Sequence, residues 1–299
     1  MKLRSEGLFA VRLVASATIL AVLSLLLATV PHLLADKNKP PPPPASNTFS
    51  LTGSMNVTRF GHKTILLGNG LVLAVTGDAT GANTAELYNP ATGTWTLTGT
   101  PAVFHNNGSA TLLASGEVLL AGGDSEGVSG SPAFAAGAEL YHPSTGQWTV
   151  TGSLPSARRL QAAVLLPNGQ VLVASGEDSS FSSIASEALY DPATGNWQST
   201  GSMHQARDSA VAELLGNGTV LVAGGADYSN GTFVSALTSA EIYDPSRGRW
   251  TTIASMPTTG GPGSLLPNGD VLVVRHAFFD PGTGTHGRRP GRFRTIPIS

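Results

Sequence analysis

Four tryptophans, Trp95, Trp148, Trp197 and Trp250, and four tyrosines, Tyr88, Tyr141, Tyr190 and Tyr243, recur along the chain with identical spacings of 53, 49 and 53 residues. No tryptophan lies anywhere else. A shared period of about fifty residues marks a chain built from stacked supersecondary units, so the repeat constrains the fold before any single residue does.

The copy from Arg158 to Ser202 shows what one unit contains. Gln161 to Leu166 is an apolar run that ends in Pro167-Asn168-Gly169, and Asn-Gly between apolar runs is a hairpin signal. Val171 to Ala174 is apolar without alternation, the pattern of a strand covered on both faces. Ala188-Leu189-Tyr190 reads as a third strand. Asp191-Pro192-Ala193-Thr194-Gly195 is a turn, and Trp197 opens a fourth strand. A four-stranded sheet this small cannot bury both of its faces alone. Packing the copies radially buries all of them, which predicts an all-β fold, a β-propeller of four-stranded antiparallel blades.

The ends of the repeat predict five blades. Phe49-Ser50-Leu51-Thr52-Gly53-Ser54-Met55 aligns with Trp197-Gln198-Ser199-Thr200-Gly201-Ser202-Met203, a fourth strand without the three before it. Ser264 to Val273 and Phe278 to Pro281 supply three strands without a fourth. Joining the two closes the ring and removes an open sheet edge. The competing expectation is a piece of a six- or seven-bladed ring.

The second strand of the unit ends in a glycine pair, Gly122-Gly123 and Gly224-Gly225, loosened to Thr76-Gly77 and Ser175-Gly176 in two copies. With the tyrosine on the third strand and the tryptophan on the fourth, the pattern from Phe49 to about Thr285 resembles the kelch-repeat β-propellers. It is also similar to the propeller domain of galactose oxidase. That enzyme type implies a copper-ligating tyrosine cross-linked to a cysteine, and this chain has no cysteine.

The flanks predict export. Lys2, Arg4 and Arg12 precede an apolar run from Leu13 to Val30 that continues to Ala35, so 1–35 reads as a signal peptide or a signal anchor in the membrane. Residues 36–48 form a proline-rich linker, 49–285 the propeller, and 286–299 a basic tail expected to be disordered. A net charge of −2 with only 12% charged residues argues against a nucleic-acid partner.

Strand order places the turns after strands one and three on one rim. The other rim carries the loops after strand two and the links between blades, including the longest segments, Asp124 to Gly137 and Ala226 to Ser239. Variable loops on a rigid scaffold are where binding concentrates. Arg59, Arg158 and Arg207 share one repeat position on that rim, with His105 in the second copy. Together with Asp124 and Asp227 they are the candidate ligand-binding residues, a basic collar for carboxylate or sulfate groups. The structural alternative pairs each with an acid that follows strand two, Asp78, Asp124, Asp178 or Asp227. His62, His105 and His204 do not share a repeat position, so no metal site, catalytic group or cofactor is implied. The expected function is an exported, non-enzymatic propeller that binds a protein or glycan through its long-loop rim. Alternatives are a carbohydrate-active or oxidase-type enzyme and a purely structural surface protein.

Overall fold

The structure is a computed structural model, and it describes residues 51–78, 82–125, 133–257, 259, 263–267, 269–273, 277–280 and 285–287. The sequence expectations for 1–35, 36–48 and the tail beyond Gly287 lie outside these residues. Among the described residues no helix is long and apolar enough to cross a membrane.

Five four-stranded antiparallel sheets follow one another in chain order. The first contains β1 (Lys63–Leu66), β2 (Val72–Val75), β3 (Ala85–Asn89) and β4 (Thr94–Thr98). The second contains β5 (Ser109–Leu112), β6 (Val118–Ala121), β7 (Ala138–His142) and β8 (Gln147–Val150). The third contains β9 (Ala162–Leu165), β10 (Val171–Ala174), β11 (Ala188–Asp191) and β12 (Asn196–Ser199). In the fourth, β13 (Val211–Leu214) and β14 (Val220–Ala223) are separated from β17 (Ala240–Asp244) and β18 (Arg249–Ile253) by an extra hairpin, β15 (Ala226–Ser229) and β16 (Thr232–Ala236). The fifth contains β19 (Gly263–Leu265), β20 (Val271–Val273), β21 (Ala277–Asp280) and β22 (Thr285–Gly287).

No blade has a core of its own. The described residues form four apolar clusters, each spanning one seam between consecutive blades. Leu73, Val75 and Ile65 meet Val118, Leu120 and Tyr141 across the first seam. The second joins Leu119 and Ala121 to Val171, Val173 and Tyr190. The third joins Leu172 and Leu189 to Val220, Val222 and Tyr243. The last joins Leu221 and Val211 to Val271 and Val273. This is why β6, β10 and β14 read as unbroken apolar runs: residues on both of their faces meet a neighbouring blade, and all four residues of each are buried.

A polar clasp repeats at every seam entered by a tryptophan. The Thr-Gly pair before each blade reaches that blade's Tyr, turn glycine and Trp. Thr151 Oγ1 lies 2.8 Å from Tyr190 Oη, Gly152 N donates to Gly195 O at 3.0 Å, and Trp197 Nε1 donates to Gly152 O at 2.7 Å. Thr98-Gly99 does the same to Tyr141, Gly146 and Trp148, and Thr200-Gly201 to Tyr243, Gly248 and Trp250. Each Tyr also packs on its own Trp, with ring centroids 5.0–5.1 Å apart in all four blades.

The first blade receives its clasp from Thr52-Gly53, with Trp95 Nε1 donating to Gly53 O at 3.0 Å. The N-terminal segment therefore takes the linker's part, as its likeness to Thr200-Gly201 implies. Its expected strand is corrected: Leu51–Met55 carries no strand, and the outer edge of β21 is held by β22, so Phe279 pairs with His286. Phe49 and Ser50 lie outside the described residues. Strand β22 also crosses the boundary expected between the propeller and the tail at 285.

Two turn details differ from a simple hairpin reading. In Leu166–Gln170 only Gly169 has positive φ, 86°, while Asn168 Oδ1 instead accepts from Gln170 N at 3.1 Å. This is a three-residue loop with glycine in the left-handed position rather than a two-residue turn. At the end of the second strands, both members of each pair have positive φ, including Thr76 at 69° and Ser175 at 64°. Only the second member is always glycine, because a Cβ there would strike backbone: 2.0 Å from Phe60 O at Gly77 and 2.2 Å from Asp208 O at Gly225.

The clasp gives a stability prediction. A Cβ on Gly152 would sit 2.3 Å from Gly195 O, so Gly152→Ala should cost about 2 kcal/mol or more by overpacking the seam. Tyr190→Phe, which loses only the hydroxyl contact to Thr151, should cost about 1 kcal/mol. Chemical denaturation of the two variants checks the order; equal costs would mean the glycine contact is not what holds the seam.

Candidate functional site

The four collar residues lie inside the wall. Arg59, Arg158, Arg207 and His105 are all at most 1% exposed or have fully buried side chains. Arg207 Nη1 donates to Gly224 O and Ser239 O, both at 2.9 Å, and Nη2 donates to Ser239 Oγ at 3.0 Å and Glu241 Oε1 at 3.2 Å. Arg59 makes the same set with Thr76 O, Thr84 O, Thr84 Oγ1 and Glu86 Oε1. In the second blade His105 Nδ1 lies 2.6 Å from Gly122 O, and Nε2 lies 3.3 Å from Glu139 Oε1. The carbonyls belong to the last residue before the long loop and the residue before strand three. That is where the ladder opens: Ser239 O still accepts from Gly224 N at 3.1 Å, whereas Gly224 O has the guanidinium as its donor.

The acid partners are therefore Glu86, Glu139 and Glu241 on the third strands, which corrects the expected pairing with aspartates. Asp78 accepts from Thr84 N at 3.0 Å, and Asp178 holds its own turn through Ser180. Asp124 is buried and takes Arg159 Nη1 at 2.8 Å, while Asp227 lies on β15. The sequence carried a signal for the glutamates. Glu86, Glu139 and Glu241 each stand two residues before the repeated tyrosine.

The third blade breaks this pattern. Its order is Glu187-Ala188-Leu189-Tyr190, so Ala188 occupies the glutamate's place opposite Val173, and Glu187 turns to the other face of the strand. The backbone partners change with it. Glu86, Glu139 and Glu241 accept from two successive amides each, at Asn56-Val57, Ala102-Val103 and His204-Gln205. The matching pair in the third copy is Pro155-Ser156, and proline has no amide to give. Arg158 instead bonds Ser156 Oγ at 2.8 Å and Ser186 Oγ at 3.0 Å.

Burial lowers Arg158 to about 10, against the pull of nearby Glu187. Glu187 accepts from Met203 N at 3.2 Å, and burial pushes it up to about 8. Glu213 on β13 is raised by burial to about 7. Burial also opposes the charge on Glu86, Glu139 and Glu241, but the hydrogen bonds they accept outweigh it and hold them below the ordinary carboxylate value.

On the long-loop rim the segments leading into the inner strands surround a cavity of about 700 Å³. Lys63, Asn107, Gln161, Asp208, Ser209 and Tyr228 are among its walls. The approach to the inner strand of each of the first four blades passes through one left-handed residue, Gly61, Asn107, Leu160 and Ser209, with φ of 64°, 58°, 55° and 51°. Beside the cavity, Arg159 lies over Phe134 and Phe181, 4.8 and 5.4 Å from their centroids, and bonds Asp124 and Glu177. The Phe181 loop is tied in turn to the hairpin of the fourth blade, through Gly231 N to Phe181 O at 2.8 Å and Ser183 N to Tyr228 O at 3.0 Å. The hairpin presents Phe233 and Val234, 55% and 56% exposed. Among the described residues no group of three His, Cys, Asp or Glu could hold a metal ion.

A family profile described as the kelch motif matches residues 215–257, which span most of the fourth blade. The solved structure of YjhT superposes with a TM-score of 0.56 at 14% identity, covering 77% of this chain and 80% of that one. At that identity the likeness shows the fold. No curated protein sequence matches the chain. The molecule is a β-propeller whose fourth blade matches the kelch motif.

Two predictions follow from the wall. Arg207→Met takes the guanidinium from Glu241, leaving it His204 Nδ1 at 2.8 Å and two amides, and strips Gly224 O and Ser239 of that donor; it should cost about 3 kcal/mol. Arg158→Met should cost clearly less, since no carboxylate is bonded to it; denaturation of both variants at pH 7 tests the difference. The second concerns pH. Glu187 and Glu213 keep their protons in the folded state after the unfolded chain has lost them. Stability should therefore fall as pH rises from the unfolded carboxylate value to about 8, by at most about 1.4 kcal/mol per unit for each group. Glu86, Glu139 and Glu241 act oppositely, and their contribution is lost as pH drops below that value. Melting temperature should peak in mild acid, and Glu187→Gln should flatten the alkaline side. An unchanged pH profile for that variant would remove Glu187 as the cause.

Proposed function

We propose that this chain is an exported, non-enzymatic propeller that binds a protein or glycan partner through its long-loop rim. One contrast carries the reading: the two rims differ in what they invest in the fold. The opposite rim is made of near-identical short turns. The long-loop rim holds the cavity, the aromatic platform around Arg159 and a hairpin found in the fourth blade alone among the described residues.

The collar arginines support the fold, so the partner's contacts fall to exposed groups, above all Phe233 and Val234 at the hairpin. Exposed aromatic and aliphatic anchors at the edge of a cavity are what an interface core is made from. Export is supported by the basic start and the apolar run before Ala35. The propeller of an oxidase of the galactose oxidase type would need a cysteine for its cofactor, and the chain has none.

Cell fractionation of the chain with a C-terminal tag should place the propeller outside the cytoplasm; recovery in the cytosol would overturn export. Envelope proteins and arrayed glycans should yield a partner for the tagged chain. Phe233→Ser combined with Val234→Ser should weaken that binding by about 2 kcal/mol, roughly thirtyfold, without lowering the melting temperature. Undiminished binding by the double variant would move the interface off the hairpin.

A further inference from the structure

The cavity wall contains two charged side chains that the fold does not require. Lys63 begins the inner strand of the first blade, where the matching residues of the next three blades are Ser109, Ala162 and Val211, each the inner-strand partner of the last residue of strand two. Asp208 takes the place held by Phe60, Asn106 and Arg159 in the other copies, and Gln161 that of His62, Gly108 and Ala210. A position that accepts alanine, valine or serine in three blades does not need lysine to fold. These are the reverse of the repeated Arg, Glu, Tyr and Trp positions.

The two charges stand apart. Lys63 belongs to the first blade and Asp208 to the fourth, and neither has an ion-pair partner among the described residues. Asp208 accepts from Ser183 Oγ at 2.8 Å, a neutral donor. Gln161 follows Leu160, which joins both neighbouring blades, its N donating to Asn107 O at 2.8 Å and its O accepting from Ser209 N at 3.0 Å. Gln161 Nε2 donates to Ala121 O at 2.8 Å, which fixes the amide's orientation, because a flipped amide would set two carbonyl oxygens against each other. Its Oε1 is buried and has no partner. The Gln161 amide is thus turned to the second blade and closed off, while the fourth blade brings a carboxylate to the cavity and the first an ammonium. Burial lowers the proton affinity of Lys63, and a ligand carboxylate beside it would restore the charged form.

We propose that this cavity binds a short peptide by its two ends, the free α-carboxylate at Lys63 and the free α-ammonium at Asp208. Among the described residues the cavity has one charge of each sign, on separate blades, which suits a ligand whose charges are separated, not a polyanion or a polycation. Extended chain covers at most about 3.3–3.6 Å per residue, so two or three residues fit a cavity of about 700 Å³. The proposal rests on the long-loop rim being the binding face but not on the identity of the partner at the hairpin.

Calorimetry on the full chain with trialanine, N-acetyl-trialanine and trialanine amide tests it. Trialanine should bind, and each cap should weaken binding at least about tenfold, the loss of one charge-assisted contact of about 1.4 kcal/mol or more. Lys63→Met should bind trialanine no better than the parent binds the amide, and should no longer distinguish the two. Asp208→Asn, or Asp208→Ser if the first variant melts early, should lose discrimination against the N-acetyl form only. Absence of trialanine binding, equal binding of capped and free peptides, or full affinity in Lys63→Met overturns the proposal. Partner binding measured on the same preparations separates the two readings. Trialanine without effect beside an intact hairpin interface sinks the cavity alone, whereas bound trialanine with no partner at the hairpin sinks the rim interface alone.

Discussion

Each of the first four blades is held in place by two residues of the chain just before it. The Thr-Gly pair presents a hydroxyl, an amide and a carbonyl, and the next blade meets them with a tyrosine hydroxyl, a turn carbonyl and an indole N–H. Nothing larger than hydrogen fits at the glycine, because the neighbouring turn carbonyl stands where a Cβ would be, 2.2–2.3 Å away at Gly53, Gly99, Gly152 and Gly201. The clasp thus sets the distance and angle between blades, and the apolar residues of the inner three strands fill the seam that it defines. A solenoid-like chain whose units touch only their neighbours depends on such interface terms for its stability.

A second repeated device makes the functional rim possible. Opening a long loop between strands two and three strips a carbonyl group of its ladder partner, and the buried Arg or His supplies a donor to it. A guanidinium in the wall needs a countercharge, which the third-strand glutamate gives, and the glutamate in turn fixes the entry segment of its blade through two amides. Loop length can vary above this base without disturbing the sheet. The third blade shows how closely the parts are matched: the exchange of Glu187 and Ala188 comes with Pro155, which has no amide for a carboxylate to accept from, and the arginine turns to serine hydroxyls instead. The result is a seam with a carboxyl raised to about 8 and an arginine without a bonded acid.

These devices also divide the residues by role. Arginine, glutamate, tyrosine and tryptophan recur because each blade has the same orphan groups to satisfy. Lys63, Asp208 and Gln161 line the cavity at positions where the copies disagree, and Phe233 and Val234 stand on a hairpin that the other described blades lack. In a repeat protein the exceptions to the pattern, where they cluster in space, mark what the pattern has been used to carry.

The amino-acid sequence alone determined the blade. Its period, its turn residues and its unbroken apolar second strands left radial packing as the one arrangement that buries both faces of each small sheet. It also carried the Glu-x-Tyr spacing, legible at Glu86, Glu139 and Glu241. What the tertiary structure decided is which charges meet. Asp78 and Asp124 lie nearer to Arg59 and His105 in sequence than Glu86 and Glu139 do, but side-chain direction along a strand and the opening of the loop bring the third strand to the basic group. Likewise Lys63 and Asp208, far apart along the chain and unremarked by any motif, share a cavity because five inner strands converge on one axis. Their registers could be read in the sequence, but proximity across the axis arises only when the blades are placed together.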